Sequence, residues 1–321
     1  MENYTPPFTV SAKAIGLVAE ISALIERYAI RMEKADGLML RKANRIKTIR
    51  SSLAIEGNEL SEGDIRTMLS GKTVIAPKQQ ILEVQNAIQA YDESSDWNAF
   101  SVEDMLRAHG CMMQGLCKDA GHFRSGGVGV FAGERLIHMA PPAHLVPTLM
   151  QQLFNWLQNA EDHLLIRSCV FHYEFEFIHP FSDGNGRIGR LWQSLILGKL
   201  HPVFPYLPVE NMIFKAQDEY YRVIEQSSAA TNCSPFIDFM LTEILRALQQ
   251  NIATPVSGMS DMEQFIISCM LQCPTISAKE IAEQRSLSPR QIEKHISELK
   301  KKGIIERVGA RKNGMWKINA E

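Results

Sequence analysis

The stretch from His179 to Arg190 carries the side chains with the greatest capacity for chemistry. It reads His-Pro-Phe-Ser-Asp-Gly-Asn-Gly-Arg-Ile-Gly-Arg. The two glycines that flank Asn185 let backbone amides converge without Cβ clashes, and a helix that starts at about Arg187 adds the positive end of its dipole. This arrangement predicts an anion site, especially for phosphate.

The charged residues of this stretch extend the prediction. Arg187 and Arg190 are three residues apart on one helix face and reinforce the anion site. Asp183 would be repelled by a polyphosphate unless a cation lay between them, which indicates Mg²⁺. Pro180 ends the preceding aromatic-rich segment near His179, and this histidine is then placed to act as a base.

The same residues have other interpretations. Gly184-x-Gly186-x-x-Gly189 matches the dinucleotide-binding fingerprint formally, but a proline and a charged loop replace the expected βαβ unit. A single histidine after an aromatic run is more often a core residue than a catalyst. The combination of histidine, carboxylate, glycine nest and two arginines favours a catalytic site. Residue types alone allow a kinase equally well.

The stretch resembles the Fic family signature, His-x-Phe-x-Asp/Glu-Gly-Asn-Gly-Arg-x-x-Arg, and matches every defined position. The resemblance implies a mainly α fold, a Fic-type helical bundle with a β-hairpin flap. It also implies transfer of AMP from ATP, with Mg²⁺, to a Ser, Thr or Tyr hydroxyl of a target protein or of the chain itself. Family relatives that transfer phosphate or remove AMP from modified targets keep those alternatives open.

The resemblance also assigns site residues. His179 is expected to take the hydroxyl proton and Asp183 to hold Mg²⁺. Tyr221 is expected to border the adenine, and a place in the core is the alternative. The ATP phosphates are expected to contact Gly184, Asn185, Gly186, Arg187 and Arg190.

A second motif lies upstream, where Ser52, Glu56 and Gly57 resemble the inhibitory motif Ser/Thr-x-x-x-Glu-Gly/Asn of Fic proteins. An ordinary helix C-terminus with a glycine cap is the alternative, but the helix dipole disfavours a glutamate there unless a cation holds it. The resemblance implies that Glu56 pairs with Arg190 and occupies the space of the ATP γ-phosphate. We therefore expect an autoinhibited enzyme.

The glycine-rich segment 121–142 predicts a short hairpin at 128–138, through its alternating valines and the glycine between its two halves. It resembles the Fic flap, which starts with Gly-x-x-Arg and ends with paired prolines. The resemblance implies an edge on which a target segment adds as a strand, with Val128, Val130 and Ile137 as docking residues. A surface loop without a role is the alternative.

The C-terminal module predicts three short helices followed by two strands, and it resembles the winged-helix domains of bacterial regulators. The segment from Arg285 to Lys317 contains ten Lys or Arg residues and only three Glu residues. Such a local excess suits DNA binding, for which Arg290, Lys294, Arg311 and Lys312 are the candidates. A lysine-coated scaffold that binds protein is the alternative, and a DNA-binding regulator with a nucleotide-sensing Fic core is the second function class.

Composition sets the remaining expectations. A net charge of −2 over 321 residues excludes a positive electrostatic potential along the whole chain that would attract nucleic acid. No signal segment and no apolar run of about twenty residues appear, so we expect a cytoplasmic protein without membrane contact. The sequence also allows the formation of homo-oligomers. The expected domains are an N-terminal helical region at 1–98, a Fic core at 99–250, a linker at 251–260 and a winged helix at 261–321.

Overall fold

The structure is a computed structural model that describes residues 4–33, 37–132, 135–253, 260–285, 287–308 and 315–318. The fold is mainly helical with two small antiparallel hairpins, as the sequence predicts. None of the described helices combines the length and the apolar character needed to cross a membrane. Contacts divide the chain into one unit of residues 1–25 and 45–249 and a second of residues 26–44 and 250–321. The domain boundaries expected from the sequence stay a prediction.

Most helices belong wholly or mainly to the first unit. They are α1 (Ala12–Glu33), α2 (Gly37–Ile55), α3 (Glu62–Leu69), α4 (Lys78–Glu93), α5 (Val102–Met112), α6 (Val146–Asn159), α7 (Leu164–Ile178), α8 (Asn185–Leu200), α9 (Val209–Lys215), α10 (Gln217–Ala230) and α11 (Ser234–Ala253). Several begin at side-chain caps. For example, Ser61 and Asp64 form a reciprocal capping box at α3.

Helix α7 lies at the centre of the first unit because apolar and aromatic residues surround its axis on all sides. Phe171 and Phe175 are fully buried, and α8 packs along α7. Trp192 of α8 is also fully buried, and its indole N–H donates to the carbonyl of Ala99 at 3.0 Å. This packing holds the loop between α7 and α8 between two rigid helices.

The loop between α5 and α6 contains the first hairpin, which the sequence predicts at 128–138. Its strands are β1 (Gly129–Ala132) and β2 (Arg135–Met139), with Val130 opposite His138. The register shifts after Val130, which marks a bulge.

The winged-helix part of the second unit contains α12 (Asp261–Gln272), α13 (Ala278–Glu283), α14 (Pro289–Lys301), β3 (Ile305–Val308) and β4 (Met315–Ile318). Strands β3 and β4 pair antiparallel, and the Trp316 indole N–H donates to the Ile276 carbonyl at 2.9 Å. Lys302 pairs with the buried Glu263 at 2.8 Å. The three helices and two strands expected from the sequence are therefore present.

Candidate active site

His179 follows the last residue of α7 in a left-handed backbone conformation, with φ 50° and ψ 63°. Only two of the described non-glycine residues have positive φ, so this geometry is uncommon. Pro180 explains why the helix stops here, as the sequence predicts. The turn directs the imidazole out of the helix, and its side chain is 19% exposed.

The Nδ1 atom of His179 faces back along α7. It lies 3.3 Å from the main-chain oxygen of Glu176 and 3.9 Å from the Oε2 atom of the same residue. A proton on Nδ1 is therefore favoured, and Nε2 is the nitrogen that can accept a proton from a substrate. Glu176 is buried, and burial raises the pKa of its carboxyl to about 7.

The loop after His179 is closed by Asn185, the first residue of α8. Its side-chain oxygen accepts from the Phe181 N–H and its amide donates to the Phe181 carbonyl, each at 2.9 Å. Gly184 stands before the helix with φ 84°. The first N–H groups of α8 have no partner within the helix, so they point to the space that an anion would occupy.

His109 of α5 and Met113, the residue that follows α5, lie against this loop. His109 accepts the Gly121 N–H at Nδ1, at 2.9 Å, and contacts the Asp183 carbonyl through Nε2, at 3.0 Å. Its ring stacks on Phe181 at 3.7 Å, and burial lowers its pKa, so it is neutral. The Sδ atom of Met113 would lie 2.6 Å from a Cβ on Gly184. Only a glycine therefore fits here without displacement.

Asp183 and Arg187 form an ion pair across the mouth of the loop. The Arg187 guanidinium donates to Asp183 Oδ1 at 2.9 Å, and the Gly184 N–H donates to the same oxygen at 2.6 Å. The Asp183 side chain is 59% exposed, whereas that of Arg187 is 6% exposed. An exposed carboxylate beside unpaired backbone donors fits Mg²⁺ that is bound together with phosphate oxygens.

Arg190 lies behind the loop, where it is 2% exposed and paired with the α2 segment. Its guanidinium donates to Glu56 Oε1 at 2.7 Å, to the Ser52 carbonyl at 2.9 Å and to the Ser52 hydroxyl at 3.2 Å. Burial alone would lower the Arg190 pKa, but the Glu56 carboxylate raises it overall. The structure thus brings together the two motifs that the sequence linked across more than a hundred residues.

The Glu56 carboxylate also lies directly over the glycine loop. A Cβ on Gly186 would be 2.4 Å from Glu56 Oε1 and 2.8 Å from Arg190 Nη1. Gly57 follows with φ 89°, which accounts for the glycine at that position. The carboxylate therefore occupies space next to the backbone donors that are predicted to cradle phosphate.

Polar contacts hold α2 in this position. Three of them join α2 to α9 and α10: Thr48 to the buried Glu210 at 3.4 Å, Ser51 to Asn211 at 3.3 Å, and Gln217 to the Ile55 carbonyl at 3.3 Å. Tyr221 of α10 lies beside the same cluster, and its pKa is raised by burial first and by the charge of Glu56 to a smaller extent. The position of Tyr221 near the site agrees with its predicted place next to a nucleotide, a role that stays a prediction.

Arg124 connects the flap to the loop, a role that the sequence did not reveal. Its guanidinium is buried and donates only to main-chain carbonyls: Gly126 at 2.8 Å, Pro141 at 2.6 Å, His179 at 2.7 Å and Ile178 at 3.2 Å. Both ends of the hairpin segment are thereby tied to the residues around the candidate base. Of the predicted docking residues, Val128 accepts the Ala140 N–H, Val130 lies in β1 and Ile137 in β2.

The candidate DNA-binding residues fall partly within the described chain. Arg290 and Lys294 are exposed on α14, whereas Arg311 and Lys312 lie outside the described residues. In the described part of the chain, the only group of three or more side chains with metal-binding spacing is Glu263, His295 and Glu298 of the second unit. Asp183 is not part of such a group, so a metal there would need phosphate oxygens as further ligands.

Comparison with known proteins gives the family. The model of the Fic/DOC family matches residues 99–197, and a model described as winged helix-turn-helix DNA-binding matches residues 262–306. A crystal structure of a Fic family protein from Desulfovibrio desulfuricans is 39% identical, with a TM-score of 0.76 and 99% coverage of both chains. The chain belongs to the Fic family. Its second unit carries a winged helix.

Curated relatives of this Fic chain have more specific names. Protein adenylyltransferase fic-1 of Caenorhabditis elegans is 28% identical over 216 residues, which are 63% of this chain and 40% of that protein. Protein adenylyltransferase Fic of Nematostella vectensis is 26% identical over 216 residues, 63% of this chain and 48% of that protein. The Fic chain therefore spans less than half the length of these relatives.

Proposed function

We propose that this Fic chain is an autoinhibited protein adenylyltransferase that transfers AMP from ATP to a hydroxyl of a target protein or of itself. The observation that carries the autoinhibition is the Glu56 carboxylate, 2.7 Å from the Arg190 guanidinium and against Gly186. The names of the curated relatives support AMP as the transferred group.

In the proposed reaction, the oxygen of a target hydroxyl attacks the α-phosphorus of ATP while its proton moves to Nε2 of His179. The bond from the α-phosphorus to the bridging oxygen breaks, and pyrophosphate leaves. The N–H groups of Gly184, Asn185 and Gly186 and the guanidinium of Arg187 bind the phosphates. Proton transfer to a placed histidine contributes about 10²–10⁴ in rate.

Asp183 would hold Mg²⁺, which neutralises charge on the phosphates when it is bound. Because the Arg187 guanidinium and the Gly184 N–H already donate to Asp183 Oδ1, a bound metal would replace both contacts and leave these donors to phosphate oxygens. Arg190 has two competing partners in this proposal. In the resting state it binds Glu56 and Ser52, and the nucleotide takes their place when α2 withdraws.

The test uses the full chain with ATP labelled at either the α or the γ phosphate. Glu56→Gly is expected to incorporate at least about tenfold more α label than the wild type, since a difference of about 1.4 kcal/mol already corresponds to this factor. Glu59→Gly is the matched control, because Glu59 is an exposed glutamate three residues away that has no contact with Arg190 among its described bonds. Adding His179→Ala to Glu56→Gly should abolish labelling.

Each outcome has a distinct meaning. Equal α labelling of Glu56→Gly and the wild type contradicts autoinhibition. Incorporation of γ label instead of α label identifies a phosphotransferase, and release of AMP from a target labelled beforehand identifies the removal of AMP. Normal labelling by His179→Ala in the Glu56→Gly background contradicts the assignment of the base.

DNA binding by the second unit is the other candidate function, favoured by the match to the winged helix-turn-helix model at 262–306. Arg290→Ala with Lys294→Ala should weaken binding of the full chain to duplex DNA and reduce the slope of log K against log salt by about two. Lys13→Ala, an exposed lysine of α1, is the control. Equal binding by all variants contradicts this candidate interface.

A further inference from the structure

Glu176 of α7 lies three residues before His179, the residue that directly follows this helix. Its side chain is buried, and its Oε2 atom lies 3.9 Å from Nδ1 of His179. The mechanism proposed above uses Nε2 of His179 and leaves this carboxyl without a role.

The space for Glu176 is provided by a missing side chain on α8. A Cβ on Gly189 would be 2.8 Å from Glu176 Oε1 and 3.1 Å from the ring of Phe175. The Oε1 atom is buried and makes no hydrogen bond within the described chain. A buried carboxyl oxygen without a hydrogen bond reduces stability, so its place beside the candidate base calls for a functional explanation.

The nearest other histidine is not a partner for this carboxyl. His172 Nε2 lies 3.9 Å from Glu176 Oε1, the same distance as His179 Nδ1 from Oε2, but both ring nitrogens of His172 are already hydrogen-bonded to other residues. Its Nδ1 atom donates to Gln193 Oε1 at 2.8 Å, and Nε2 accepts from the Tyr220 hydroxyl at 2.9 Å. Burial lowers the pKa of His172 to about 3, so this ring is neutral.

The remaining charged and titratable groups near Glu176 come from three other elements. They are Arg190 of α8, Glu56 at the end of α2, and Tyr220 and Tyr221 of α10. Burial raises the Glu176 pKa most strongly; Arg190 lowers it and Glu56 raises it. Both tyrosines have raised pKa values and are neutral. The charge of Glu176 therefore increases when Glu56 leaves and Arg190 keeps its place.

We infer that Glu176 is a positioning residue for His179, whose carboxylate stabilises the imidazolium formed when Nε2 takes the proton of the target hydroxyl. This inference rests on the proposed function. The proton passes from the hydroxyl oxygen to Nε2, and the carboxylate takes up none. Glu56 then acts in two ways, since it occupies the phosphate space and also keeps Glu176 less charged.

The test compares the pH dependence of α-label incorporation in Glu56→Gly and in Glu56→Gly with Glu176→Gln. An ionised Glu176 favours protonated His179, so its loss lowers the apparent pKa of the acid limb. We expect this limb to move to lower pH by about one unit and the plateau rate to fall about tenfold. Affinity for ATP should change less than the rate, because Glu176 makes no described hydrogen bond to the residues that are proposed to bind the phosphates.

Glu174→Gln in the Glu56→Gly background is the matched control. Glu174 is a second buried glutamate of α7, and it accepts from the Tyr4 hydroxyl at 2.7 Å instead of facing His179. Its replacement should leave the acid limb where it is. A rate loss in the Glu176 variant without movement of the limb, or an unchanged profile, overturns the inference.

Titration of His179 by NMR of ¹⁵N-histidine gives a readout that does not require activity, with His179→Ala to assign the signal. Glu176→Gln in the Glu56→Gly background should lower the His179 pKa by about one unit. An unchanged His179 pKa refutes the role of Glu176 even where labelling is absent. If Glu56→Gly incorporates no α label while the His179 pKa shifts as expected, the proposed function fails and the contact stands.

Discussion

The replacement Gly186→Ala tests the contact between the inhibitory glutamate and the phosphate loop from the side of the loop. Gly186 lies in the first turn of α8 without a positive φ, so its backbone accepts alanine. The added methyl would be 2.4 Å from Glu56 Oε1 and 2.8 Å from Arg190 Nη1. Both atoms end flexible side chains, so Glu56 must withdraw from Arg190.

The expected magnitude follows from the bond that is lost. A hydrogen bond to a charged group contributes about 1.5–3 kcal/mol when it is buried. The Glu56 side chain is 34% exposed, so solvent screens part of this energy. We therefore expect a coupling free energy of about 1–2 kcal/mol between positions 186 and 56. Gly186→Ala should cost that much more stability in the wild type than in a Glu56→Ala background.

Urea unfolding, followed by tryptophan fluorescence in a Trp316→Phe background, measures the four free energies of this cycle. Trp97, Trp156 and Trp192 then report on the first unit alone. Gly63→Ala is the matched control, since Gly63 also lies in a first helical turn and a Cβ there meets no atom closer than 3.4 Å. Its effect should add to that of Glu56→Ala. A coupling near zero for Gly186→Ala refutes the blocking geometry.

Three further predictions follow. Burial raises the pKa of Glu176 from 4.5 to about 7, so its contribution to stability is complete below pH 4.5 and is lost as the pH rises through 7. This group should lower the free energy of unfolding by about 3 kcal/mol between these pH values, and Glu176→Gln should remove that decrease in urea unfolding. An equal pH dependence in both proteins contradicts the burial argument. Gly184→Ala should lower the free energy of unfolding by about 1–3 kcal/mol in the same assay because of its φ of 84°. The clash with Met113 should add a further loss that Met113→Ala relieves, and full additivity of the two substitutions argues against this contact. Arg124→Lys keeps the charge but leaves main-chain carbonyls without their hydrogen bonds, so hydrogen exchange at the Ala140 amide should accelerate about tenfold or more. Unchanged exchange contradicts the anchoring role of Arg124.

Much of the site could be predicted because its residues are close together in the sequence. The order of His179, Asp183 and Arg190 gives the loop, and Pro180 gives the helix end that sets the direction of the histidine. The sequence predicts the start of α8 at about Arg187, but the helix begins two residues earlier, at Asn185. The Asn185 side chain hydrogen-bonds both the N–H and the carbonyl of Phe181, which fixes Asn185 at the start of the helix.

Glu176 was missed although a usable signal existed. It lies within an aromatic run, which indicates a core helix, and a glutamate there reads as an exception. Its spacing of three residues from His179 is the usable signal, because residues three apart at a helix end lie close together. Whether the carboxyl is buried depends on Gly189 of another helix, and that dependence is set by tertiary packing alone.

The role of Arg124 could not be predicted in the same way, because its partners are main-chain carbonyls. Every peptide unit offers such an acceptor, so no residue type marks the positions that bind the guanidinium. The flap motif identified the arginine, and only the folded chain gives its four acceptors.

Those carbonyl acceptors have an evolutionary consequence. Substitutions at Gly126, Pro141 or Ile178 change side chains but leave the bonded oxygens in place, so the alignment between the flap and the loop depends little on the identity of these residues. Strand residues between the anchors can then vary without a change in the contacts that tie the hairpin to His179. The strands of the hairpin can therefore differ in sequence while the main-chain contacts of Arg124 stay the same.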